Sequence, residues 1–187
     1  MRIRHLVRED LLAQAMADGK VTAQTERSTQ AEVVRLVQEG ADVVLCTCST
    51  LGDAAEATEV PSARVLRVDR PMAERAVALG RPILLVAATP TAMATATALL
   101  HEVSQPPRPT VRELMCRAAW ERFQAGDHAG YASALAQQAS DQAHPGDVIV
   151  MAQASMSSAA ALILRSDVDV LTSPELGVRR ALALLAG

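Results

Sequence analysis

Seven short apolar runs, at Ile3–Val7, Asp42–Thr47, Ala63–Val68, Pro82–Ala88, Val111–Cys116, Asp147–Ala152 and Val168–Thr172, are separated for the most part by stretches with helical patterning. A run that is apolar throughout, rather than at alternate positions, marks a strand covered on both faces. Strands that alternate with helices imply parallel sheets joined by right-handed crossovers, so the spacing predicts an α/β fold. Helices are expected over Glu9–Ala17, Ala23–Glu39, Leu51–Ala57, Pro71–Leu79, Ala92–Val103, Ala118–Gln124, Tyr131–Ala143, Ser157–Leu164 and Pro174–Leu185. Arg70-Pro71 and Ser173-Pro174 put proline in a first helical turn, where its missing N–H costs nothing.

The order of these signals repeats. Gly40-Ala-Asp-Val-Val-Leu-Cys-Thr-Cys-Ser-Thr recurs in outline as Gly146-Asp-Val-Ile-Val-Met-Ala-Gln-Ala-Ser-Met, and Val68-Asp-Arg-Pro recurs as Leu171-Thr-Ser-Pro. Asp42 and Asp147 are 105 residues apart, Pro71 and Pro174 are 103 apart, and two similar spacings predict duplicated halves, residues 1–80 and 81–187. Each half is expected to be a parallel sheet with helices on both faces, and the cleft between halves is the default site. The second half holds four strands and the first only three, because nothing in it corresponds to Pro82–Ala88. The chain is therefore expected to be a shortened member of its fold or to begin further upstream. An uncovered sheet edge invites pairing, so a homo-oligomer is expected, with the aromatic cluster of Trp120, Phe123 and Tyr131 serving as core or subunit interface.

Half of the 187 residues are apolar, enough for a sizeable core. The net charge of −3 and the absence of a long Lys/Arg block give no support to nucleic-acid or membrane-surface binding. Neither a secretory leader nor an apolar run of about 18 residues is present, so a cytoplasmic location is expected. The three cysteines, 46, 48 and 116, fit no secreted scaffold and are expected to be free thiols. The four histidines fall in no metal-ligand spacing, and no Gly-x-Gly-x-x-Gly or Walker pattern occurs. No metal and no cofactor are expected.

Chemistry concentrates where the strand Asp42–Thr47 gives way to a helix. Cys46, Thr47, Cys48, Ser49 and Thr50 stand there, at the carboxyl end of a parallel strand, where ligands of open α/β sheets bind. A thiol at a helix start has its thiolate favoured, so Cys48 is expected below the ~8.5 of a free cysteine. The alternative, stronger for Cys46 and for Cys116, is a cysteine packed as a small hydrophobe. Thr89 and Thr91 bracket Pro90 at the end of another strand, and their hydroxyls suit either a carboxylate ligand or a helix cap. Ser49, Thr50 and Ser155 carry the same two readings, while Asp69, before Arg70-Pro71, is expected to cap a helix rather than face the cleft.

Taken in order, Gly-Ala-Asp-Val-Val-Leu-Cys-Thr-Cys-Ser-Thr, Val68-Asp-Arg-Pro-Met-Ala-Glu, Ala87-Ala-Thr-Pro-Thr91 and Val150-Met-Ala-Gln-Ala-Ser-Met156 resemble the aspartate/glutamate racemase superfamily, which includes aspartate, glutamate and hydantoin racemases, maleate isomerases and arylmalonate decarboxylases. The resemblance covers essentially the whole chain. It implies two pseudo-symmetric α/β halves, an active-site cleft between them, and cofactor-independent chemistry at the carbon next to a carboxylate of a small acid. It further implies one catalytic cysteine per half. Six residues beyond Asp42 stands Cys48, in Cys48-Ser49-Thr50; six beyond Asp147 stands Gln153. The catalytic role therefore falls on Cys48 alone, with Ser49, Thr50, Thr89, Thr91, Gln153 and Ser155 as the substrate-binding set. Inverting a stereocentre needs a base on one face and an acid on the other, which a single thiol cannot supply. One thiol still suffices to protonate a carbanion after decarboxylation, or to add to a double bond and permit cis–trans isomerisation. A non-catalytic small-acid-binding or assembly protein, and a thiol redox or metal protein using Cys46 and Cys48 together, are the remaining alternatives.

Overall fold

The computed structural model describes residues 2–185. Six parallel strands form two sheets. In the first, β1 (Val43–Cys46) pairs with β2 (Arg64–Arg67); in the second, β3 (Ile83–Ala87), β4 (Val111–Met115), β5 (Val148–Met151) and β6 (Asp169–Thr172) lie in the order β4-β3-β5-β6. The repeat seen in the sequence is a structural one. Val43 pairs with Arg64 and Val148 with Asp169, so each strand of the β1-β2 ladder maps onto its β5-β6 counterpart with the same 105-residue offset and the same register.

Nine helices are described: α1 (Glu9–Ala17), α2 (Ala23–Gln38), α3 (Gly52–Glu56), α4 (Arg70–Ala78), α5 (Pro90–Val103), α6 (Arg117–Gln124), α7 (His128–Gln142), α8 (Ser157–Ala160) and α9 (Ser173–Leu185). Side-chain hydroxyls or carboxylates close three of their first turns: Thr22 accepts from the Thr25 N–H, Thr89 from Ala92 and Asp127 from Gly130. The second sheet is covered on both faces. Ile83, Leu85, Ala87, Val148 and Val150 meet α4 and α5, while Leu84, Val86, Ile149 and Met151 meet α6, α7 and the start of α8. On the first sheet, Val44, Cys46 and Val65 pack against α2 and α3. The last helix of each half crosses over: α4, from the first, packs against β5 and β6, and α9, from the second, packs against β1 and β2. The crossover requires close approach, because a Cβ at Gly177 on α9 would lie 2.6 Å from both the side chain and the carbonyl of Val68.

Two expectations fail locally. Ile3–Val7 is not a strand. Arg4 within it is drawn to Glu39 and Arg8 just after it to Glu32 and Asp10, while Ile3 and Val7 stay 65% and 72% exposed. The reason lies in the sheet order: the corresponding strand of the second half, β4, pairs only with β3, and the first sheet has no counterpart of β3 among the described residues. A strand with nothing to pair against leaves its backbone to water. The helix expected over Ser157–Leu164 is a short 3₁₀ turn, Ala154–Met156, followed by α8, which stops at Ala160. There Leu162 and Ile163 bond back to the carbonyls three residues earlier, and the tightened turn buries Ile163 while leaving Leu164 outside.

Candidate functional site

The carboxyl ends of β1, β3 and β5 meet where the halves join. The tie is a buried hydrogen bond in which the Ser49 hydroxyl donates to the carbonyl of Ala152, at 2.8 Å. It sets Cys48-Ser49 beside Ala152-Gln153, the two segments that the repeat makes equivalent. Gln153 in turn accepts from the backbone N–H of Ala88 at 2.8 Å, which links the end of β5 to the end of β3 and to Thr89. With its carbonyl oxygen spent there, the amide nitrogen of Gln153, a donor, is the end free for a ligand. Thr89 and Thr91 are buried; Thr89 caps α5 through Ala92, and the two hydroxyls are 3.4 Å apart. Thr50 is buried in the turn after Ser49. Ser155 points elsewhere, sharing a 3.1 Å hydrogen bond with the buried Tyr131 of α7 on the far face of the second sheet.

Cys48 is half-buried, and burial pushes its thiol up rather than down. Hydrogen bonds from the Leu51 and Thr50 backbone and the Thr50 hydroxyl oppose the rise, while the Asp69 carboxylate adds to it. The lowered thiol expected from a helix start does not follow because α3 is only five residues long and opens at Gly52, so the aligned peptide dipoles behind it are few. Cys46, whose thiol donates to the Cys48 carbonyl at 3.6 Å, is pushed up to about 11 by burial within the α2–α3 face. Cys116, between β4 and α6, is buried in the core between the second sheet and α6–α7, and burial alone takes it to about 11. Trp120 stacks on Phe123 at 4.9 Å, and Phe123 meets Tyr131 at 5.1 Å, which makes the aromatic cluster a contact between α6 and α7.

The residue that sequence reasoning missed is Arg67. It is 2% exposed at the last position of β2, and it holds Asp69, 1% exposed, through Nε at 2.7 Å and Nη2 at 3.1 Å. Asp69 therefore makes no side-chain cap on α4. The available signal was a lone arginine inside the apolar run Val65-Leu66-Arg67-Val68 with an acid two residues on. Among the described residues no group of His, Cys, Asp and Glu is placed to hold a metal ion, and no helix is long and apolar enough to cross a membrane.

Two shallow depressions, about 300 and 170 Å³, lie away from the junction: one over Ser133, Ala136, Gln137, Ser140 and Leu162, the other over Asp42, Pro61, Ser62, Ala63 and Arg64.

No protein-family model matches the sequence, and no curated protein matches it. Solved structures do share the fold. A glutamate racemase, isoform RacE1, from Bacillus anthracis superposes with a TM-score of 0.58 at 17% identity over 86% of this chain and 66% of that one. Glutamate racemase from Francisella tularensis subsp. tularensis in complex with D-glutamate gives 0.58 at 15% identity over 86% and 65%. Allantoin racemase from Klebsiella pneumoniae gives 0.59 at 16% identity over 87% and 66%. The chain thus spans just under two thirds of the length of each of these structures. What it shares with these racemases, at such identity, is the α/β fold of two parallel sheets.

Proposed function

We propose that the chain is a cofactor-independent enzyme of racemase-like type, acting at the carbon next to a carboxylate of a small acid or amino acid, with Cys48 as its single reacting thiol. The observation that carries this reading is the Ser49–Ala152 hydrogen bond, which sets Cys48 beside Gln153 at the junction of two sheets in a racemase fold. In it, the Gln153 amide donates to a carboxylate or a developing enolate oxygen. Ser49, Thr50, Thr89 and Thr91 form the rest of the substrate-binding set, while Ser155, turned to Tyr131, would support it from behind. Because Gln153 is no base, the expected reactions are those that need one proton donor or one nucleophile: decarboxylation of a substituted malonate or cis–trans isomerisation of an unsaturated diacid.

The test is a panel of small acids in deuterated water followed by proton NMR. One-thiol chemistry predicts turnover of a malonate or maleate-type substrate, lost in Cys48→Ala, with negligible α-proton exchange in L- or D-aspartate and glutamate. Rapid exchange with inversion would show that another group supplies the second base. A second reading, a non-catalytic binder of small acids, is favoured by the raised Cys48 thiol. It predicts a rise in melting temperature with small acids and no turnover of any; neither turnover nor a thermal shift would sink both readings.

A further inference from the structure

Arg67 has no counterpart in the second half, where the equivalent strand position is Thr172. A parallel strand pair of this register therefore needs no cation there. What surrounds Arg67 is the Cys48 loop. Beyond the two bonds to Asp69, Nη2 donates to the Ser49 carbonyl at 3.4 Å, and Nη1 lies 3.7 Å from Asp53 on α3. Gly52, the first residue of α3, sits directly over the arginine: a Cβ there would be 2.9 Å from Arg67 Cβ and 3.1 Å from Nε. The loop from Cys48 to Gly52 is thus wound on a guanidinium on one side and tied by Ser49 to Ala152 on the other.

We propose that Arg67, locked by Asp69, is a positioning residue for Cys48, setting the access of the thiol at the junction by fixing the Ser49 carbonyl and the start of α3. The inference rests on Cys48 being the reacting group, as read above, but it is tested through thiol labelling rather than turnover, so the two fail separately. A planar guanidinium suits the task because its fork holds a carboxylate with one edge and still has donors for a carbonyl; a lysine offers a single point of charge. Stability alone is a weak reason for the pair, since a buried ion pair replaced by apolar residues of similar volume is often as stable or more so.

That last property supplies the test. Iodoacetamide labelling of Cys48 and Cys116 is followed peptide by peptide across pH in the wild type, in Arg67→Lys and in the double variant Arg67→Met/Asp69→Leu, with melting temperatures measured alongside. The midpoint of each profile reports the local field, and the high-pH plateau reports access. The Cys48 plateau is expected to rise on the order of tenfold in the double variant, the consequence of losing a charge-assisted hydrogen bond to the loop. Arg67→Lys should fall between, and Cys116 should not move. A wild-type Cys48 plateau in either variant overturns the proposal, and so does a Cys116 rate that rises in step with Cys48, because the cause is then loss of the fold. Should the double variant not fold, Arg67→Lys alone decides.

Discussion

β1 and β5 are the same strand in two settings. They share a register with their neighbours β2 and β6 and follow the same Gly/Asp lead-in, yet all four residues of β5 are buried and only Val44 of β1 is. The difference is β3. β5 pairs on both edges, whereas β1 pairs on one, and its other edge has no strand beside it among the described residues. How deeply a strand is buried is set by what stands next to it as much as by its own residues. The first sheet makes up part of the deficit by borrowing α9, and at the carboxyl end of β2 it carries an ion pair buried on both sides, Arg67–Asp69, where the counterpart position on β6 is Thr172.

The comparison breaks most sharply at Arg67. Arg67→Met leaves the Asp69 carboxylate buried and unpaired, and the expected loss is about 3–5 kcal/mol in denaturant unfolding. Thr172→Met, at the equivalent position of the second half, should cost far less; equal losses would mean that the pair is not what distinguishes the halves. Next comes the cores themselves. Leu85→Ala, in the wholly buried β3, should cost about 2–5 kcal/mol, and Leu45→Ala, half-buried in β1, clearly less. A Leu45 loss as large as that of Leu85 would show that the first sheet is covered in solution.

Where the halves interlock, Gly177→Ala must push Val68 aside and should cost about 1–3 kcal/mol, with a single cooperative transition that keeps its shape. Two separate transitions would show the halves to be independent. A smaller effect on folding, though a large one on size, is expected from the open first sheet. Val178, Leu182 and Leu185 form an exposed apolar stripe on α9, the helix over that sheet. We propose a homo-oligomer that covers it. Light scattering at micromolar concentration should give a mass above the monomer for the wild type and a monomer for Leu182→Glu, while a monodisperse wild-type monomer would remove the proposal. Smallest of all is the contrast between thiols. Both Cys48 and Cys116 are pushed up, so their thiolates are scarce at neutral pH and labelling climbs as the pH rises. Cys48, less buried and supported by backbone N–H groups, should label first throughout; fast labelling of Cys48 near pH 7 would mean that its thiol is activated after all.

Most of the fold was legible in the amino-acid order. Six of seven expected strands and every expected helix stand within a few residues of their places, α8 shortened, and the 105-residue repeat is carried into the ladder registers. These features are local: a continuous apolar run, a proline in a first turn and a threonine cap are all properties of neighbouring residues. Ile3–Val7 had the residues of a strand but not its partner, and pairing is not a local property. The racemase-type architecture, read from the motifs, is the one the solved structures share.

The candidate site divides the same way. That Cys48 and Gln153 are equivalent positions follows from counting, and that Ser49 stands beside one of them follows from reading. The bond between Ser49 and Ala152 was decided only when the halves packed, and the turn of Ser155 toward Tyr131 and the direction of the Cys48 thiol only when helices and loops closed over the strand ends. The diversion of Asp69 from capping α4 to holding Arg67 likewise followed from the burial of both at the end of β2. Hydrogen-bond partners across 100 residues and the water lost from around a thiol depend on which surfaces meet. Sequence alone set the period of the chain and the residues at each strand end; the closing of one half on the other determined which of those residues are free to do chemistry.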